Sequence, residues 1–459
     1  MREYSSFRDP SGFVFYENGV LYRQVNQSYR QQFEKLTDSG LYEKLVSENL
    51  IVKHEYINQK TEDPAVLCVI KPERVPFISY PYEWSFGQLK DAALATLRIN
   101  RLAADYDMIL KDASAYNIQF TAGTPKLIDT LSFDFYDEGK PWVAYGQFCR
   151  HFLAPLFLAA QVDFRLPQLM RVYIDGIPID LASKLLKNGK GFGVKQHIHW
   201  HAKSLSKHSE DGKSPEKLRT ARVSRFNYIA MIDSLIRTVE HIQLNGVKTE
   251  WMDYYGATNY TDKALNEKEA IVARLAENTN CGRVWDLGAN DGRFSRIALA
   301  HGAQAVVAFD IDPIAVERNY QKVKKDKSNI LPLILDLTNP SPGIGFANRE
   351  RLQADKRQKP DCVLALALIH HLAISNNLPF EKIAEWLAGL TENLIIEFVP
   401  KQDSQVRVLL ATRDDIFNNY TQPDFEKVFN IYFDLVKTEQ VPESERTIYL
   451  YKKKEDTHG

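Results

Sequence analysis

The segment VWDLGANDGRFSRIALA, residues 284–300, constrains this chain more than any other stretch. It opens as a short apolar run, 284–287, that stops at Gly288. Gly292 follows, and 294–300 then carries helical spacing. A strand that ends in a glycine turn and passes directly into a helix is the building unit of parallel sheets, because a parallel neighbour needs a crossover connection. Glycine permits the tight turn and lets backbone approach a ligand. The turn is not a GxGxxG dinucleotide fingerprint, since Asn290 stands where the second glycine would be. Asp286, just ahead of the turn, suits a cationic ligand better than a pyrophosphate.

The same alternation continues downstream. Residues 305–309, 331–335, 362–367 and 394–398 read as buried strands, and 314–323 reads as a helix. Residues 431–436 and 447–451, separated by a polar turn with Pro442, read as a hairpin. The pattern predicts a parallel doubly wound sheet with antiparallel strands added at one edge.

The N-terminal half has a different order, with strands first and helices later, which predicts an α+β fold. Residues 13–16 and 20–25 flank Glu17-Asn18-Gly19 as a hairpin. Residues 67–70 and 77–80 read as strands, 88–102 as an amphipathic helix, and 108–135 as loop-rich. The stretch 203–224 carries charges and serines with few apolar side chains, so a linker is expected there, followed by a connecting helix over 226–242. This organisation divides the 459 residues into an α+β domain at 1–202, linker and helix at 203–250, and an α/β domain at 251–459.

Composition removes several classes. Lys plus Arg is 58 and Asp plus Glu is 59, a formal net charge of -1, which gives no support to a protein that coats nucleic acid. The four cysteines, Cys68, Cys149, Cys281 and Cys362, form no CxxC, so a zinc ribbon or disulfide scaffold is not expected and a reducing, cytoplasmic setting is. The first residues lack an apolar signal core, and no apolar stretch approaches the ~20 residues of a membrane span.

Three acids fall at the ends of successive strands: Asp286, Asp310 in AVVAFDIDP, and Asp336 in LPLILDLTNP. A carboxylate at the second position can accept ribose hydroxyls, and one at the third can accept from an adenine amino group. The alternative is that the three merely cap helices. Taken together, Asp286-Leu-Gly-Ala-Asn-Asp-Gly292 with Asp310 and Asp336 resembles the class I S-adenosylmethionine-dependent methyltransferases over roughly residues 251–451. The resemblance implies a Rossmann-like seven-stranded α/β methyltransferase sheet with S-adenosyl-L-methionine as cofactor. It implies that Asp286, Gly288 and Gly292 hold the methionine end, Asp310 the ribose and Asp336 the adenine. Asn290 replaces a frequent glycine, and asparagine is the residue that best tolerates that backbone.

In DCVLALALIHHLAI, which resembles the family's substrate-side strand, His370 and His371 are the groups able to titrate near neutral pH. Either is a candidate catalytic base toward a substrate hydroxyl, or else a packing histidine at a helix start. No Asn-Pro-Pro-Tyr or Asp-Pro-Pro-Tyr follows, which argues against methylation of a flipped base. LIIEFVPKQDSQVRVLLATRDDIFNNY and SERTIYLY resemble the subgroup that includes the host-specific nodulation-protein methyltransferases of bacteria. That resemblance implies a glycan or small-molecule acceptor, and no nucleic-acid partner is expected. Glu397 and Lys401 either face the substrate or are solvated loop charges. MDYYGATNYTDKALNEKEA resembles the family's lead-in segment, so Tyr255, Tyr260 and Lys268 are expected over the cofactor, with core packing as the alternative for the tyrosines.

LKDASAYNIQFTAGTPKLIDTLSFD, residues 110–134, resembles the catalytic loop and metal-binding strand of kinase-like phosphotransferases. Asp112 and Asn117 have D-x4-N spacing and Asp129 follows. No glycine-rich loop or V-A-I-K strand is legible, and Arg23 and Lys53 are the candidates for the missing lysine. The alternative is a polar loop whose Asp and Asn satisfy turns. His197, His199 and His201 alternate in QHIHWHAK and would share one face of a strand. An exposed or interface strand is expected there, a metal site being the alternative. No metal centre is predicted. The reading is a methyltransferase, acting most simply on oxygen, with two rivals: a bifunctional kinase-methyltransferase and a non-catalytic nucleotide-binding scaffold.

Overall fold

The computed structural model describes residues 2–57, 63–187, 191–203, 222–244, 261–279, 281–411 and 413–455. Most of the expected linker, the cut between the expected domains near 250, and Tyr255 and Tyr260 lie outside these residues. The chain forms two compact units, one of Met1–Val247 with Pro342–Leu352 and one of Lys248–Ser341 with Gln353–Gly459.

The first unit opens with a hairpin of β1 (Gly12–Glu17) and β2 (Val20–Asn26). Asn18 and Gly19 both take positive φ, 51° and 77°, the turn that matches strand twist. With β3 (His54–Ile57) and β4 (Val66–Pro72) they form an antiparallel sheet in the order β1-β2-β4-β3. The helix Phe86–Asp105 begins in a capping box, with Ser85 and Gln88 each accepting the other's backbone N–H. Beyond it, β5 (Met108–Leu110) pairs with β8 (Phe133–Phe135), and β6 (Ile118–Thr121) pairs with β7 (Thr124–Leu127). The loop-rich stretch is thus two small antiparallel pairs.

Two expectations for this unit fail. Residues 77–80 are not a strand. The Gln119 side chain takes the place of a neighbouring strand there, accepting from Ser79 N at 2.8 Å and donating to Ser79 O at 2.9 Å. Residues 195–203 are helical, not extended. Val194, Ile198 and Ala202 are buried at i, i+4 and i+8, a helical stripe that the alternating histidines masked.

The second unit is a seven-stranded sheet in the order β11-β10-β9-β12-β13-β15-β14. Its strands are β9 (Arg283–Leu287), β10 (Ala305–Asp310), β11 (Ile330–Ile334), β12 (Cys362–Ala365), β13 (Asn393–Phe398), β14 (Phe433–Gln440) and β15 (Thr447–Lys453). The first five are mutually parallel, and β15 and β14 add antiparallel. Parallel strands are covered on both faces, which is why β9, β10 and β12 read as continuous apolar runs. Val284, Val306, Leu364 and Ile395 pack with Ile271, Leu275, Phe294 and Ala298 in the core. The strand order reverses between β9 and its neighbours β10 and β12, so a crevice opens at their carboxyl ends, the usual ligand position in open α/β sheets. Among the described residues no helix is long and apolar enough to cross a membrane, and the four cysteines are free.

Candidate cofactor and active site

A cavity of about 300 Å³ lies at these strand ends, lined by Asp286, Gly288, Asn290, Asp310 and Asp336 together with Lys268, Phe294 and His371. Three strands therefore bring the three predicted acids to one place. Gly288 has φ 76° and Asn290 φ 48°, so the asparagine does occupy a left-handed turn. Gly292, at φ 80°, caps the helix Arg293–Ala300, and a Cβ there would come within 2.3 Å of Asn319 Oδ1. It packs closely against Asn319 behind the turn and is not among the cavity lining.

Each acid is held differently. Asp286 is buried and accepts from Ser295 Oγ at 2.6 Å. Burial pushes its carboxyl up to about 7, with Asp310 adding to the rise and Ser295 and Lys268 opposing it. Asp310 accepts backbone N–H groups of Asn290 at 2.7 Å and Asp312 at 2.9 Å. Burial still raises it to about 6. Asp336 accepts from the Thr338 N–H and hydroxyl at 2.8 and 2.7 Å, an Asx turn at the cavity edge.

The two histidines separate. His371 lines the cavity, and burial together with Arg446 lowers it to about 4, so its imidazole is neutral at physiological pH. His370 is fully buried, is not part of the lining, and finds no hydrogen-bond partner for either ring nitrogen among the described residues. Burial holds it well below the usual histidine range. The structure thus brings one of the two candidate bases to the site.

Glu397 is fully buried rather than a loop charge. Its Oε2 accepts from Lys268 Nζ at 2.7 Å and from the Ala367 N–H at 2.6 Å. Arg446, itself buried, lies 4.0 Å from Glu397 Oε1 and binds Asp403 at 2.7 and 3.1 Å. Lys401 pairs with Asp415 at 2.8 Å. Sequence reasoning gave Arg446, Asp403 and Ser295 no role. The only local signal for Arg446 is a charge immediately before the apolar strand TIYLY.

In the first unit, Asp112, Asn117 and Asp129 also gather. Asp112 Oδ1 accepts from Gln147 Nε2 and Ser114 N at 2.8 and 2.9 Å, and burial followed by Asp129 raises its pKa. Asn117 Nδ2 donates to Ser132 Oγ at 3.3 Å, and that hydroxyl donates to Asp129 Oδ2 at 2.8 Å. Arg23, on β2, reaches Asp129 Oδ1 at 2.6 Å, whereas Lys53 is exposed. His197 and His201 lie against Tyr145, while His199 turns to Ser183 at 2.7 Å. Among the described residues no three His, Cys, Asp or Glu side chains are grouped to hold a metal.

No protein-family model matches the chain. Solved structures similar to parts of it include the N-methyltransferase NodS from Bradyrhizobium japonicum WM9 with S-adenosyl-L-homocysteine, at 12% identity, 45% of this chain, 100% of that one and a TM-score of 0.32. Magnesium protoporphyrin IX methyltransferase from Synechocystis PCC 6803, with bound S-adenosylhomocysteine, is similar at 18% identity, 44% of this chain, 93% of that one and a TM-score of 0.31. Nodulation protein NoeA of Rhizobium meliloti (strain 1021) is 33% identical over 457 residues, 98% of this chain and 96% of that protein. With both units covered by that similarity, the chain belongs to the family of nodulation protein NoeA.

Proposed function

We propose that this protein is an S-adenosyl-L-methionine-dependent methyltransferase whose acceptor is an oxygen of a glycan or small molecule. The observation that carries the reading is the convergence of Asp286, Asp310 and Asp336 on one cavity from three adjacent strand ends. The donor set fits the cofactor: burial holds the Asp286 carboxyl up at about 7 even with Lys268 nearby, and an α-ammonium against it favours the ionised form. Asp286 then holds the amino-acid end, Asp310 the ribose and Asp336 the adenine, with the Gly288–Asn290 turn against the middle of the molecule. When bound, the cofactor supplies an electrophilic methyl group. The chain's own contribution is positioning, together with exclusion of water by Leu366, Leu368 and Leu372. His371, neutral at the cavity wall, accepts the proton of the substrate hydroxyl. The glycan class rests on the resemblance to nodulation-protein methyltransferases. Incubating the protein with labelled cofactor and fractionated glycans, lipids and small molecules, followed by mass spectrometry, tests it. Label confined to nucleic acid or protein would contradict it.

A second reading makes the first unit a kinase-like phosphotransferase, giving a bifunctional enzyme. The gathering of Asp112, Asn117 and Asp129 favours the kinase-like fold. The Arg23 guanidinium on Asp129 weighs against turnover, because it neutralises the carboxylate that a magnesium ion would need.

A further inference from the structure

We propose that Lys268 binds the α-carboxylate of the cofactor, with Glu397 as its positioning residue. This rests on the cofactor reading above and goes beyond it. An amino-acid end carries an ammonium and a carboxylate on one carbon, so a site for it needs opposite charges side by side. Asp286 provides the anion. Among the described residues of the cavity wall, Lys268 provides the cation, since the other basic group, His371, is neutral. Lys268 and Asp286 are close enough for each to bias the other's ionisation.

The placement of Lys268 is fixed by its surroundings. It projects from the helix Asp262–Thr279, is 2% exposed, and lies 5.0 Å over the Phe294 ring. Glu397 holds it at 2.7 Å. An ammonium carries three N–H donors, so it can hold Glu397 and a ligand carboxylate together. The charge balance allows this. Lys268 and Arg446 face Glu397 and Asp403, and a zwitterionic end adds no net charge while giving Asp286 its counter-ion. Glu397 also accepts the N–H of Ala367, which sits at φ 49° just beyond β12 on the cavity wall. One carboxylate therefore sets both the cation for the amino-acid end and the backbone facing the methyl acceptor.

The competing view is a buried ion pair with a packing role alone. Calorimetric titration of the full chain with S-adenosylhomocysteine and with its decarboxylated analogue, which keeps the ammonium, separates the two. The wild type should prefer the carboxylate-bearing ligand by about tenfold or more, as a charge-assisted pair implies. Lys268→Met should bring the two affinities within about threefold, Lys268→Arg should keep most of the preference, and Glu397→Gln should reduce it by at least about threefold. An unchanged preference in Lys268→Met, or none in the wild type, overturns the proposal. Should Lys268→Met fail to fold, the wild-type and Lys268→Arg preferences decide. Failure of the folded wild type to bind either ligand removes the cofactor reading and this proposal with it, whereas equal binding of both removes this proposal alone.

Discussion

Asp310 accepts the backbone N–H of Asn290 at 2.7 Å, tying the turn after β9 to the tip of β10. The carboxylate that would take the ribose is thus also the clamp on the loop beside the amino-acid end. Asn290 completes the arrangement by accepting the Asp291 N–H on its own side chain at 2.8 Å, in the left-handed region.

Replacing Asn290 follows from that backbone. Asn290→Gly should leave stability nearly unchanged, whereas Asn290→Val should cost roughly 1–2 kcal/mol through left-handed strain. Denaturant unfolding of both variants checks this. Equal stability of the two would mean the turn relaxes.

Cofactor binding should depend on pH. Asp286 and Asp310, raised by burial to about 7 and about 6, must be ionised to hold an ammonium and ribose hydroxyls. Affinity should therefore rise as pH increases from about 5 to about 8, and Asp286→Asn should flatten the upper part of that rise. Stability of the ligand-free chain runs the other way. For an acid raised in the folded state, the stabilising contribution is present below its unfolded value of 3.8 and is lost as pH rises through about 7. Titrations with S-adenosylhomocysteine across this range, beside thermal unfolding without ligand, test both signs.

His371 and His370 should behave differently once an acceptor is known. His371→Ala should lower kcat by about 10²–10⁴-fold, the usual span for a general base, with little change in S-adenosylhomocysteine affinity. A packing change at fully buried His370 should appear mainly in the unfolding midpoint. Full activity of His371→Ala would assign the proton to another group.

The first unit should show weak or no magnesium-dependent phosphoryl transfer from ATP, because Arg23 already occupies Asp129 at 2.6 Å. Labelled phosphate appearing in any acceptor, and lost in Asp129→Ala, would instead support the bifunctional enzyme.

The seven-stranded sheet was legible because its central strands are apolar runs bounded by Gly, Pro and Asp, and because the strand ends carry the acids. The hairpin 431–451 was legible apart from its start, since Ile431 and Tyr432 still belong to the preceding helix. What escaped was non-local. Nothing in the order of residues shows that Pro342–Leu352, an excursion between β11 and β12, joins the first unit, where Glu350 is buried and bound twice by Arg8 at 2.5 and 2.8 Å. Lys268 and Glu397 meet across 129 residues of sequence. The alternating histidines misled because a period of two in polar residues outweighed the period of four in Val194, Ile198 and Ala202, although burial follows the apolar stripe.

Everything proposed for the second unit depends on the strand-end acids forming a site for S-adenosyl-L-methionine. Calorimetric titration of this chain and of its Asp310→Ala variant with S-adenosylhomocysteine is the decisive measurement. One site per chain is expected in the wild type, with a loss of roughly 1–3 kcal/mol in the variant, whose ribose hydroxyls lack a charged acceptor. Absence of binding by the folded wild type, or the same affinity in a folded Asp310→Ala, would contradict it.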